Sequence, residues 1–458
     1  MKVVICGAGQ VGFHIARYLS SEQNDVTVVD QSPELIGKIN DSLDVQAFVG
    51  HASHPDVLAR AGVGDADMLI AVTFADEVNM IACQVAHSLF NVPTKIARIR
   101  QQDYLRDEWA NLFARDQLPI DVIISPEIEV ARAVRRRLHV PGASDIIELA
   151  DGLVRVIGVR CQENCPVIHT PLRQLTSLFP DLNITVMAIV RNETLIIPKS
   201  TDQMLPGDEV YFCTESGKLD RAMAVFGHEE GESRRVIIIG GGNIGVNLAN
   251  DLENHDKYTV RVIELDKARA RKVAELLPTT TIIQGDALDS EILEEANVAH
   301  AEAIVAVSDH DETNILASLL AKRYGVDRAV ALINKSSYGP LITTLGIDVV
   351  VSPREITAST ILQHVRRGRI RSVHTLRDGF AEVIEAEALQ TSPLVGVPLK
   401  EAKLPDGVIL GAVIRNDSDV IIPRPDTEIF EGDRVVLLAA AHAVKKVEKM
   451  FAVRLEYF

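Results

Sequence analysis

The sequence predicts an α/β protein made by internal duplication: two Rossmann-like, doubly wound parallel-sheet domains, each followed by a small β-rich α+β domain. Three observations predict it. The opening stretch KVVICGAGQVGFHIARYL returns near the midpoint as RRVIIIGGGNIGVNLANDL. After each copy, strand and helix patterns alternate at the spacing of βαβ units, which implies a parallel sheet with right-handed crossovers. Each half then closes with short alternating strands separated by glycine and asparagine turns. The order is A-B-A′-B′, with domains expected at 1–125, 142–228, 233–352 and 370–455 and the segment GHEEGES, 227–233, joining the halves.

In each opening element an apolar run, Val3 to Cys6 or Val236 to Ile239, feeds a G-x-G-x-x-G set. The sets are Gly7, Gly9, Gly12 and Gly240, Gly242, Gly245. The first glycine permits a tight turn, the second lets backbone approach a pyrophosphate, and the third lets helix and strand pack closely. The helix N-terminus then faces the anion. An acid ends the next strand in both copies, Asp30 after VTVV and Glu264 after VRVI. Such a carboxylate accepts hydrogen bonds from a ribose 2′-hydroxyl and repels a 2′-phosphate, so NAD is favoured over NADP. One such motif alone is weak evidence; two, each in strand-turn-helix context with its acid, are much stronger.

Further along, Gly50 pairs with Gly285, Leu58 with Leu293, Asp76 and Glu77 with Asp311 and Glu312, and Asn79 with Asn314. The strand MLIAVTF ends at Thr73-Phe74 and its twin AIVAVSD at Ser308-Asp309, both expected at the carboxyl edge, where doubly wound sheets bind ligands. A hydroxyl there either meets a phosphate or ribose, or caps the helix that follows. The next strand, TKIARIR, brings Arg98 to a similar edge, where VALIN offers only Leu332. Facing the pocket, Arg98 would bind a phosphate; as a snorkelling surface residue it would have no such role. Serine-proline steps follow at Ser125-Pro126 and Ser352-Pro353. Helical stretches then end in basic residues, Arg135 to Arg137 in one half and Arg366, Arg367, Arg369 and Arg371 in the other. Such runs are either solvated helix faces or contacts for an acidic partner. In the β-rich domains Asn192 and Asn416 sit in hairpin turns, and Gly207-Asp208 and Gly432-Asp433 lead into the last strands.

The chain has 458 residues and a formal net charge of −17, which disfavours nucleic acid and anionic lipid as partners. The longest apolar runs, such as VVLLAAAHAV from Val435, are too short to span a membrane, so no direct membrane insertion is expected. The N-terminus enters a strand without the regions of a signal peptide, and a cytoplasmic protein is expected. Five cysteines do not make a disulfide framework. Cys6, Cys83 and Cys213 read as core residues, and Cys161, Cys165 and His169 have no common zinc spacing. No metal site is expected.

Over essentially its whole length the chain resembles the RCK or KTN family, in the duplicated form of Trk potassium-uptake regulatory subunits. CGAGQVG, VVD, VGHASHPDVL, DADMLIAVT, DEVNM, ACQVAHSLFN, KIARIR and ISPE carry the resemblance in the first half. GGGNIG, IELD, GDALDSEIL, DETNI and LAKRYG carry it in the second. It implies a nucleotide-binding protein, NAD or NADH with ATP or ADP as alternatives at the same sites. It also implies a homo-oligomer, a dimer or tetrameric ring, at the cytoplasmic face of the inner membrane, gating an integral-membrane potassium transporter subunit of the TrkH or TrkG kind. Carried over by position, the first site is Gly7, Ala8, Gly9, Gln10, Val11, Asp30, Thr73, Phe74 and Arg98. The second is Gly240, Gly241, Gly242, Asn243, Ile244 and Glu264. Phe74 departs from the family pattern, standing where a small or polar residue is expected.

A regulatory binding module is thus the favoured class, with no catalytic residues. The alternative, an NAD-dependent oxidoreductase, fits the fold alone. It would want a larger substrate domain and a marked proton donor, and neither is legible. A DNA-binding redox sensor would want a basic winged-helix segment, absent from this acidic sequence.

Overall fold

The computed structural model describes residues 1–21, 24–179, 182–192, 194–228, 232–255, 257–338, 345–365, 370–376 and 380–451. The first half begins with β1 (Lys2–Cys6), α1 (Gln10–Ser21), β2 (Asp25–Asp30), α2 (Pro33–Ser42), β3 (Gln46–Val49) and α3 (Pro55–Arg60). It continues through β4 (Met68–Ala71), α4 (Asp76–Ser88), β5 (Thr94–Arg98), β6 (Val122–Ile124) and α5 (Pro126–His139). The β-rich segment follows as β7 (Ala143–Leu149), β8 (Val154–Arg160), α6 (Leu172–Leu178), β9 (Ile184–Arg191), β10 (Thr194–Ile196), β11 (Glu209–Glu215) and α7 (Leu219–Val225).

The second half repeats this order. Its parallel part is β12 (Arg235–Ile239), α8 (Asn243–Glu253), β13 (Thr259–Glu264), α9 (Lys267–Leu276), β14 (Thr281–Gln284) and α10 (Ser290–Glu295). Then come β15 (Ala303–Ala306), α11 (Asp311–Arg323), β16 (Arg328–Leu332), β17 (Val349–Val351) and α12 (Pro353–Gln363). Last come β18 (Ile370–Leu376), β19 (Ala381–Glu387), β20 (Val408–Arg415), β21 (Asp419–Ile421), β22 (Arg434–Ala440) and α13 (Val444–Phe451).

The strand orders are β3-β2-β1-β4-β5-β6 and β14-β13-β12-β15-β16-β17, two parallel six-stranded sheets. The order reverses direction between β1 and β4, and between β12 and β15, so each glycine loop opens at a switch point. Alternation explains how a sheet buried on both faces is built. On β1, Val3 and Ile5 enter one core, shared with Ile15 and Leu19 of α1, while Val4 and Cys6 enter another with Ala82 and Cys83 of α4. The Ser352-Pro353 step is a helix start: Ser352 Oγ accepts the Glu355 N–H while proline takes the first helical position.

The chain forms two compact units that cut across sequence order. One comprises residues 1–135 and 233–365, the other 136–232 and 366–458. Within the first unit the halves exchange helices. Ala358, Ile361 and Leu362 of α12, with Val365 beyond it, enter the core of the first half beside α1. Burial of Ile361, Leu362 and Val365 stabilises this contact by roughly 1.5–3 kcal/mol each. In the opposite direction Arg135 of α5 pairs with Asp251 of α8 at 2.9 Å. The basic cluster 135–137 is therefore neither a solvated face nor a free patch: Arg137 pairs with Asp145 at 3.0 Å and Arg136 also has a partner. Arg366, Arg367 and Arg369 lie outside the described residues, and Arg371 pairs with Glu387 at 3.0 Å.

In the second unit the five-stranded sheets β10-β9-β11-β8-β7 and β18-β19-β22-β20-β21 share a core that includes Met187, Cys213, Val383 and Leu438. Gly411 marks the close approach of the sheets; a Cβ there would lie 2.8 Å from the Met187 sulfur. Asn192 and Asn416 have positive φ in the β9–β10 and β20–β21 turns. Asp208 and Asp433 each take an arginine from the neighbouring strand, Arg191 at 2.7 Å and Arg415 at 2.8 Å. Cys161 and Cys165 lie in the apolar core of the first β-rich segment, and no metal-holding group forms among the described residues.

Candidate functional site

The two switch points open on one cleft of about 1360 Å3 within the first unit. The first half contributes Gly7, Gly9, Gln10, Val11, Asp30, Thr73, Phe74 and Arg98. The second contributes Gly241, Gly242, Asn243 and Ile244. Ala8, Gly240 and Glu264 do not line it. Ala8 turns into the core. Gly240 has φ +103 and packs against Ser308, the counterpart of Gly7, with φ +115 against Val72 and Thr73. Glu264 is buried behind its loop.

Both acids tie their loops by the same pair of bonds. Asp30 Oδ2 accepts the Ala8 N–H at 2.7 Å and Oδ1 the Ser32 N–H at 2.8 Å. Glu264 Oε2 accepts the Gly241 N–H at 2.7 Å and Oε1 the Asp266 N–H at 2.8 Å. The extra methylene of glutamate explains the glycine at 241, where a Cβ would come within 3.0 Å of Glu264 Oε2. Asp30 reaches the cleft, whereas Glu264 is 6% exposed. The middle glycines, Gly9 and Gly242, have nothing within 4 Å of a Cβ position. That open space, beside a helix N-terminus with no side-chain cap at α8, fits the approach of a pyrophosphate.

Thr73 and Ser308 are held by residues whose role the sequence did not disclose. Asn79 Oδ1 accepts the Thr73 N–H at 2.8 Å and hydroxyl at 2.7 Å, and its Nδ2 donates to the carbonyls of Thr73 at 3.2 Å and Arg98 at 2.9 Å. Asn314 makes the same four bonds with Ser308 and Leu332. Each hydroxyl donates to its asparagine, and the Ser308 oxygen also accepts the His310 N–H at 3.4 Å. Asp76 and Asp311 similarly accept backbone N–H groups from the loops after β5 and β16, at Arg100 and Gln101 or Asn334 and Lys335. The repetition of DEVN and DETN at equal spacing was the available signal for all four.

Arg98 lies in the cleft wall. Its Nη2 donates to the Thr73 carbonyl at 2.8 Å, while its buried Nε has no acceptor among the described residues. Burial, then the nearby charge of Arg100, lowers its pKa, yet an arginine remains charged. A charged, half-satisfied guanidinium beside a glycine loop suits a phosphate. Phe74 does not block the pocket: it is 84% exposed, with the Arg100 guanidinium 5.5 Å from its ring centre. Arg100 is fixed in turn by Glu127 at 3.0 Å. The donor set and the space by Gly9 fit a nucleotide with its ribose toward Asp30 and its phosphates over α1.

Two Rossmann-like folds opening on one cleft, with a β-rich module after each, define a tandem RCK-type protein. The TrkA-N domain matches residues 3–126 and 236–353, and the TrkA-C domain residues 156–227 and 383–452. The chain is 54% identical to a Trk system potassium uptake protein TrkA of Azorhizobium caulinodans over the full length of both chains. It is 40% identical to that of Vibrio alginolyticus, covering 98% of each. Among solved structures, the GsuK RCK domain aligns with a TM-score of 0.59 at 18% identity, covering 99% of this chain and 95% of that one. The GsuK channel bound to NAD gives the same TM-score and identity, covering 99% and 79%. The chain belongs to the TrkA family of Trk system potassium uptake proteins.

Proposed function

We propose that the protein is the cytoplasmic regulatory subunit of a Trk-type potassium uptake system, binding NAD(H) or an adenine nucleotide in the cleft and gating a membrane subunit of the TrkH or TrkG kind as a homo-oligomer. The convergence of two glycine loops, Asp30 and the half-satisfied Arg98 on one cleft carries this reading. Binding in a cleft between two halves shifts the population toward the arrangement that holds ligand better, and only by the difference in affinity between arrangements. No helix among the described residues is long and apolar enough to cross a membrane, so attachment would run through the transporter.

The test is twofold. Calorimetric titration with NAD, NADH, ADP and ATP measures binding, and potassium flux through the co-purified transporter in vesicles, with and without each nucleotide, measures output. Saturable binding together with nucleotide-dependent flux is expected. Failure of every nucleotide to bind, or flux indifferent to the protein, would overturn the reading.

A further inference from the structure

We propose that Arg354, carried by the second half, completes the first half's nucleotide site by binding the distal phosphate of its ligand; this rests on the nucleotide reading above. Helix α12 leaves the carboxyl edge of the second sheet and packs on α1, so its start and the start of α1 open on the same cleft. Pro353, Arg354 and Thr357 line that cleft with Gly9 and Gln10, and the next residue, Ala358, enters the core that holds Val11.

Three features of Arg354 call for an anion. Its Nε is buried without an acceptor among the described residues, as is that of Arg98. It sits in the first turn of a helix, where the dipole and free N–H groups already present positive potential and disfavour a cation. Its counterpart at the start of α5 is Glu127, which engages Arg100 through Oε1, so the position lines the cleft in both halves but carries opposite charge. A phosphate lying past Gly9 would satisfy Arg98, Arg354 and the α1 N-terminus together. The glycine loop takes the phosphates nearest the ribose, which leaves the distal one for an arginine arriving from the other half.

The experiment is calorimetric titration of the full-length protein with AMP, ADP and ATP, in wild type, Arg354→Gln and Arg354→Lys. Melting temperatures without ligand establish that the variants fold. Loss of a charge-assisted bond should weaken ADP and ATP about tenfold in Arg354→Gln while leaving AMP unchanged. Arg354→Lys, which keeps the charge, should recover part of the loss. Equal weakening of AMP and ATP, or no weakening of either, would overturn the proposal while sparing the nucleotide reading. Absence of binding by all three in wild type would overturn both.

Discussion

At the scale of single residues, Asp30 does two jobs with one carboxylate: it holds the Ala8 amide at 2.7 Å and faces the cleft where a ribose would lie. A 2′-phosphate would meet that negative charge, so NAD(H) should outcompete NADP(H) in displacement titrations; equal affinity at physiological salt removes this role. Asn79 and Asn314 are fully buried and make equivalent bonds. Alanine at either leaves buried peptide groups unpaired, each costing about 1–3 kcal/mol. Both variants should lower the unfolding midpoint in denaturant by similar amounts, and an unchanged midpoint in either would contradict the clamp. The glycine loops and acids were legible because their chemistry dictates residue type and spacing. The asparagines were visible only as repeated letters, since a polar residue early in a helix is usually solvated and only the sheet edge shows what it binds. Glu264 was legible as an acid but not as a buried one, because a single methylene decides how far its carboxylate reaches.

At the scale of elements, β19 carries a carboxyl group inside the second unit. Burial, and secondarily the charge of Glu448, pushes the Glu382 pKa up to about 8. Between its ordinary value of 4.5 and about 8, the folded chain keeps a proton that the unfolded chain releases. Stability from this group therefore falls as pH rises through that window and levels off above it. Denaturant titrations across the window should show that decline, and Glu382→Gln should remove its share; a variant as pH-dependent as wild type would exclude Glu382 as the cause. Element types and their order could be read because strand and helix periods differ. The pairing of elements could not. Apolar residues at 358, 361 and 362 mark a stripe on α12, yet nothing in that stripe says that α1, more than three hundred residues earlier, will cover it. The basic end of α5 misled for a related reason: a charge run looks alike whether its acids are solvent-facing partners or Asp251 and Asp145 of the same chain.

At the scale of the whole molecule, the two nucleotide folds are alike in backbone and unlike in charge. Arg98 has Leu332 opposite it, so Arg98→Ala should weaken binding at the first loop about tenfold and leave the second unchanged. Two-site titration distinguishes this from a general loss. The exchanged helices make a further expectation: a protease site introduced into 227–233 and cut should leave two fragments that co-elute on gel filtration, held by α12 on α1 and α5 on α8. Separation of the fragments without denaturant would argue against that hold. Once cut, their association should depend on concentration, whereas in the intact chain it cannot. Joining the halves in one peptide has another result. A dimer of identical chains with a twofold axis must present the same side chain twice, so Glu127 would face Glu127 and arginine would face arginine. Covalent fusion lifts that constraint, and the cleft can hold an acid on one wall and a base on the other. One molecule can then read two different ligands, or answer one ligand at a single address, which no symmetric pair of the same subunit is able to do.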